Sequence, residues 1–445
     1  MYANTYPANF KNLVMGADTK IPLRNGAWVK AINFDNAATT PPFRSVLQEI
    51  INFSPWYSSI HRGTGYKSQL SSNVYEHARE IIADFVKADL KQNSLIFVKN
   101  TTEAINKLSY RFCADPKQCT ILSSCMEHHS NDLPWRDKYQ VDYIAVDDYG
   151  RLSLEDLEEK LRKYKDSLGL VTITGASNVT GYRNPIHKIA ALVHEYGGKI
   201  LVDGAQLIPH VAFDMKPMND AEHIDFLVFS AHKMYAPFGI GVLIGPKSTF
   251  TNGAPDYQGG GTVDMVTHDF IRWADPPHKE EAGSPNIIGV VALVAAIQTL
   301  NKIGMPNIET YENNLMHYTL QKLKRIPDLH LFCPNELCTD QVGIIPFNLE
   351  DMSHEMVAKI LSYEAGIAVR NGCFCAQPYI QHLLHISPEE VKARIQNPIL
   401  YHPGMVRVSF GLYNDYAEID TFVQMLYCIA KNKAYFLEKY RVLDK

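Results

Sequence analysis

Five short apolar runs, each ending in a knot of polar side chains, limit what this chain can fold into. Ser94–Val98 runs into Asn100, Thr101 and Thr102, and Thr120–Ser124 into Glu127, His128, His129 and Asn131. The stretch Gly169–Ile173 leads to Ser177 and Asn178, and Lys199–Val202 ends in Asp203, with Gln206 three residues on. Phe226–Phe229 is followed at once by Ser230, His232 and Lys233. Runs of this length suit buried strands. Helical spacing intervenes, with Val74, Ala78, Ile81, Ile82 and Phe85 on one face. A second helix opens at Asn184-Pro185, buries Ile186, Ile189, Ala190 and Val193, and stops at Gly197-Gly198. Strands alternating with helices predict an α/β fold with a mostly parallel sheet, and polar strand endings on one side predict a ligand site along the carboxyl edge.

The texture changes from Asn307 onward. A Leu-, Tyr- and Lys-rich helix (Ile308–Arg325), Pro327 and shorter strands such as Val342–Leu349 predict a smaller C-terminal α+β domain. The expected division is an N-terminal segment 1–35 packing on that small domain, a large domain 36–305 and the small domain 306–445. With 445 residues the chain can bury a large core.

A net charge of −5 spread along the chain argues against nucleic acid or anionic lipid as partners. The longest apolar run, Ile287–Ile297, is too short to span a bilayer and reads as a core helix. Met1 to Gly16 lacks the basic-then-apolar pattern of a signal peptide, so the expected location is cytoplasmic. The eight cysteines show no C-x-x-C pair and no zinc spacing, which predicts buried thiols rather than a disulfide framework or a metal site.

Taken together, the polar strand endings carry the parts of a pyridoxal 5'-phosphate site. Lys233 is a lysine able to form a Schiff base, Asp203 a carboxylate one strand away, and Thr101 and Thr102 open a helix whose N-terminus suits a phosphate. Taken on its own, that last feature is more simply a plain N-cap by Asn100 or Thr101.

The motifs "NFDNAATTPP", "NTTEAIN", "MEHHSN", "ASNVTG", "LVDGAQ", "FSAHKMYAPFGIGVL", "EAGSPN", "AVRNGCFCAQP" and "RVSFGLYN" resemble those of the class V, fold-type I pyridoxal-phosphate enzymes, most closely the SufS-type cysteine desulfurases and selenocysteine lyases. The resemblance covers nearly the whole chain and implies a seven-stranded sheet in the large domain. It assigns Lys233 the Schiff base, Asp203 the ring nitrogen, Gln206 the ring hydroxyl, and His128 ring stacking and proton movement. Thr101, Thr102, Ser230 and His232 would hold the phosphate, and Ser284 would reach the phosphate of a partner subunit, implying a homodimer. Asn178, Arg370 and Arg407 would orient a small amino-acid substrate, with Arg407 clamping its carboxylate. Cys375 would attack the substrate sulfur, giving alanine and an enzyme persulfide that a sulfur-acceptor protein could take up. Aminotransferase, C–S lyase or epimerase chemistry, with Cys375 incidental, remains open, as does cysteine against selenocysteine.

The chain departs from that pattern in three places. Cys373-Phe374 stands where the relatives carry two histidines, and Gly65 where they carry one. An added segment, 381–403, is expected to hold a helix capped by Ser387, with Pro388 first and Glu390 closing a capping box.

Overall fold

The computed structural model describes residues 10–113, 115–332, 340–397 and 402–441. Strand β1 (Ile32–Asn33) leads to helix α1 (Tyr66–Val86), β2 (Asn93–Val98), α2 (Thr101–Arg111), β3 (Thr120–Ser124), β4 (Gln140–Ile144) and β5 (Leu168–Thr174). Then come α3 (Ile186–Glu195), β6 (Lys199–Asp203), β7 (Phe226–Ser230) and β8 (Gly241–Pro246). These seven strands, β2 to β8, form one sheet in the order β2-β8-β7-β6-β5-β3-β4. Strands β3 to β7 are mutually parallel, and β8 alone runs against both its neighbours.

The apolar runs are continuous because both faces of the sheet are covered. In β7 the side chains alternate: Phe226 and Val228 join a core cluster with α2, whereas Leu227 and Phe229 join the larger cluster on the opposite face. Register fixes the edge. Asp203 pairs with Thr174 on one side and Val228 on the other, so β5 and β6 finish level and β7 runs two residues further, to Ser230.

Helix α4 (Ile287–Ile303) is buried as expected, and α5 (Met305–Leu323) follows it. A second, antiparallel sheet contains β9 (Leu329–Leu331) and β10 (Ile344–Leu349). Beyond β11 (Ile367–Ala368) lie β12 (Arg370–Gly372), α6 (Gln377–Leu383), α7 (Pro388–Gln396) and β13 (Met405–Ser409), and the sheet order is β9-β10-β13-β12. Strand β1 pairs in parallel with β11, and Phe34 packs into the core of this C-terminal sheet. The capping box at α7 is present, with Ser387 accepting from the Glu390 N–H and Glu390 accepting from the Ser387 N–H. No single helix among the described residues is long and apolar enough to cross a membrane.

The cysteines differ from expectation. Cys113 and Cys119 are disulfide-bonded, because the turn after α2 brings their Cα atoms to 6.7 Å. Of the free thiols described, Cys125 and Cys373 are half-buried, and Cys375 and Cys428 are exposed. Cys333 and Cys338 lie outside the described residues.

Candidate active site

A cavity of about 240 Å³ opens at the carboxyl edge of the large sheet. Each expected strand ending contributes to it: Thr101 and Thr102 after β2, His128 after β3, Asn178 after β5, Asp203 and Gln206 from β6, and Ser230, His232 and Lys233 from β7. The C-terminal sheet closes the cavity with Arg370, Cys375 and Arg407. Of the expected site residues only Ser284 lies elsewhere, exposed on the surface.

Helix α2 meets the cavity end-on. Asn100 caps it, accepting from the Glu103 N–H at 3.0 Å, while the Thr101 N–H donates to Ser230 Oγ at 2.8 Å. The hydroxyls of Thr101 and Ser230 are 2.7 Å apart, as are those of Thr102 and Ser130. The N-cap and the anion-ready helix end therefore coexist. A hydroxyl proton turns freely about its C–O bond, so those of Thr101 and Thr102 can swing toward an incoming oxygen.

Burial sets the electrostatics. The Lys233 ammonium is pushed down to about 8 by burial, with Arg407 adding to the effect and Asp203 opposing it. Burial raises the Asp203 carboxyl, and Lys233 partly counters this. Burial, then the Lys233 charge, pushes His128 down to about 3, so its imidazole is neutral. His128 Nδ1 accepts from the Ser130 N–H at 3.1 Å, which places the proton on Nε2. Glu127, beneath the site, is pushed up to about 8 by burial although it accepts from Asn131, Ser124 and the Thr174 N–H.

Arg407 ties three segments together. One terminal nitrogen donates to Asn178 O at 2.7 Å and the other to Asp35 Oδ1 at 3.1 Å. Arg370, its register partner across β12 and β13, lies 3.7 Å from Asp35 Oδ2. On the side chains that line the cavity, two buried polar atoms have no hydrogen-bond partner among the described residues: Arg407 Nε and Gln206 Oε1, whose amide nitrogen donates to Ala37 O.

Cys375 sits on a tightly held loop. Phe374 and Cys375 adopt left-handed φ values of 51° and 55°. Non-glycine residues enter that region at a cost and need fixing. Asn178 Nδ2 donates to Phe374 O at 2.6 Å, the His129 N–H donates to Cys375 O at 2.7 Å, and the Arg407 guanidinium lies 4.8 Å from the Phe374 ring centre. Cys373 instead points its thiol at Pro403 O, 3.2 Å away. Gly65 caps α1 and does not line the cavity.

Residues 32–422 match the aminotransferase class-V family. The chain belongs to that family. Among class-V relatives, a cysteine desulfurase of Haloferax volcanii is 33 % identical over 89 % of this chain and 88 % of its own. One from Wigglesworthia glossinidia brevipalpis is 34 % identical over 90 % and 93 %. The apo structure of a cysteine desulfurase from Thermococcus onnurineus superposes with a TM-score of 0.80 at 30 % identity, covering 90 % of this chain and 95 % of that one. The Escherichia coli cysteine desulfurase CsdA gives 0.76 at 27 %, covering 89 % and 94 %.

Asp35 and Ser130 are site residues that sequence reasoning did not single out, as are Ala37, Ala38, Thr174 and Ala205 in the cavity wall. Asp35 stood in a turn-rich stretch with no sign of its partner, and Phe374 read only as a departure from family pattern.

Proposed function

We propose that this chain is a pyridoxal-phosphate enzyme that removes sulfur from L-cysteine, or selenium from selenocysteine, leaving alanine and a persulfide on Cys375. The observation that carries the reading is that Lys233, in the turn after β7, and Cys375, in the loop after β12, line one cavity. The residues present fit the cofactor. The hydroxyls of Thr101, Thr102 and Ser230 at the α2 end suit its phosphate, Asp203 its ring nitrogen, and Gln206, whose Oε1 is buried without a partner, would hydrogen-bond its ring hydroxyl. When bound, it supplies a carbonyl for an amine and an electron sink for bonds at the substrate α-carbon.

The chain's own groups supply the rest. Lys233 Nζ, with its pKa lowered to about 8, is able both to take and to return a proton near neutrality. Neutral His128 offers Nε2–H over the cavity, and the Arg407 guanidinium, having given one N–H each to Asn178 and Asp35, keeps further donors for a substrate carboxylate. Cys375 Sγ, as thiolate, forms the new S–S bond while the substrate C–S bond breaks toward carbon, which then takes a proton to become alanine. The persulfide is left on an exposed side chain, open to a small thiol or a sulfur-acceptor protein.

Cys375→Ala tests the reading. The purified variant should keep the cofactor's visible absorbance and lose release of sulfide and alanine from cysteine. An undiminished variant, or pyruvate or keto acid as the main product, would move the chain to a different class-V reaction.

A further inference from the structure

At the end of β7 opposite Lys233, three side chains converge. His194 lies in the last turn of α3, His223 in the loop between β6 and β7, and Asp225 immediately before β7. His194 Nε2 is 2.9 Å from Asp225 Oδ2 and His223 Nε2 is 3.6 Å from Oδ1. One ligand atom from each falls within 4.8 Å of the other two. The side chains retain only 17 %, 13 % and 5 % exposure for His194, His223 and Asp225.

The outer contacts fix the tautomers. His194 Nδ1 lies 2.7 Å from Ala221 O, and His223 Nδ1 lies 2.7 Å from Asp220 O. A carbonyl oxygen only accepts, so each Nδ1 carries a proton and each Nε2 faces the carboxylate either bare or protonated. The two rings stack at 4.1 Å with planes 14° apart. Protonating both places two cations face to face against one carboxylate. Protonating His194 alone leaves the His223 lone pair facing Oδ1 at 3.6 Å, beyond hydrogen-bond reach. A divalent cation between the three removes both conflicts.

We propose that His194 Nε2, His223 Nε2 and the Asp225 carboxylate bind a divalent transition metal, with zinc the best match to two imidazoles and a carboxylate. The outer shell is already built: two backbone carbonyls hold the Nδ1–H groups, and the Ile200 N–H donates to Asp225 Oδ2 at 2.9 Å. The metal clips the end of α3 and the loop before β7 to the strands that present Asp203 and Lys233, and is structural rather than part of the reaction. The cluster of His61, Glu76 and His278 is the weaker candidate, because the Arg79 guanidinium already donates to Glu76 at 3.0 Å.

The test uses the purified full-length protein after chelation, titrated with Co²⁺ and followed by d–d absorbance at wavelengths longer than the cofactor's bands. One equivalent of Co²⁺ should bind per chain, be displaced by Zn²⁺, and raise the thermal midpoint. H223A should lower Co²⁺ affinity by more than the ~10–100-fold that follows loss of an outer-shell partner. H223C should restore binding and add sulfur-to-cobalt charge-transfer absorbance, a readout that a merely destabilised loop would not give. Wild-type protein with neither d–d bands nor a metal-dependent midpoint overturns the proposal, as does binding that survives unchanged in H223A.

Discussion

At the residue scale, burial decides the chemistry of single groups. An exposed lysine titrates near 10.5, but Lys233 is pushed down to about 8, so half its amine is free base there. Only the free base attacks an aldehyde. Capture of pyridoxal phosphate by cofactor-free protein should therefore speed up with rising pH and level off above about 8. Asp203→Asn should move that curve to lower pH, because the carboxylate holds the proton on, and Arg407→Met should move it higher. A capture rate indifferent to pH would refute this account of Lys233. Glu127 shows the opposite shift, from 4.5 up to about 8. The folded chain holds this proton more tightly than the unfolded one, so the associated stability is complete below about 4.5 and is lost as pH rises through about 8. Glu127→Gln removes that loss. Its unfolding midpoint relative to the parent should climb across this window, with a ceiling of a few kcal/mol at about 1.4 kcal/mol per unit. A constant difference between the two proteins would mean that Glu127 is ionised in the fold.

At the element scale, the anion-ready end of α2 depends on a glycine in another strand. A Cβ on Gly241 would stand 2.8 Å from Asn100 Cα and 3.0 Å from Phe229 O, all backbone with nowhere to yield. Gly241→Ala should displace the helix end and weaken cofactor retention, seen as a raised dissociation constant by titration. Asn100→Ala, losing only the cap, should cost about 1 kcal/mol. Helix α7 behaves differently: none of its residues is buried, so excising 386–397 should leave the unfolding midpoint nearly unchanged. A cut reaching back to Gln381 would also remove Leu383, which packs with Phe374, Tyr379 and Ile380 beneath the Cys375 loop. These elements differed in legibility for physical reasons. Strands β2, β3, β5, β6 and β7 were readable because burial on both faces demands unbroken apolar runs. Edge strand β4 was not, since it is half-exposed and carries Asp142 in its middle. The cap at α7 could be read because its chemistry is local. The Asp35–Arg407 contact could not, because its partners lie 372 residues apart and only tertiary packing joins them.

At the scale of the whole molecule, we propose that the chain divides near residue 305 and that the cavity forms only where the two parts meet, with Arg407 bridging β13 to Asn178 and Asp35. A second boundary follows from what remains exposed. The hairpin 263–273 leaves Met265, Val266, Phe270 and Ile271 each at least 44 % exposed. Apolar side chains grouped in this way mark a contact surface. Ser284 is anchored beside it, because the Gly283 N–H donates to Gly260 O at 2.8 Å and Glu281, three residues back, receives the Phe97 N–H and the Arg79 guanidinium. A rigidly held hydroxyl outside its own cavity, next to an apolar hairpin, fits a second copy of the chain docking there and receiving Ser284 at its phosphate. Replacing Val266 and Phe270 together with Asp should then split a homodimer. With about 2 kcal/mol lost for each of the two contacts, the dimer dissociation constant should rise by roughly 1,000-fold, measurable by sedimentation. Ser284→Glu should leave the dimer intact but place a negative charge against the phosphate, weakening cofactor binding. If the hairpin variant separates into monomers that hold the cofactor as tightly as the parent, Ser284 plays no part across the interface and each cavity is complete within its own chain.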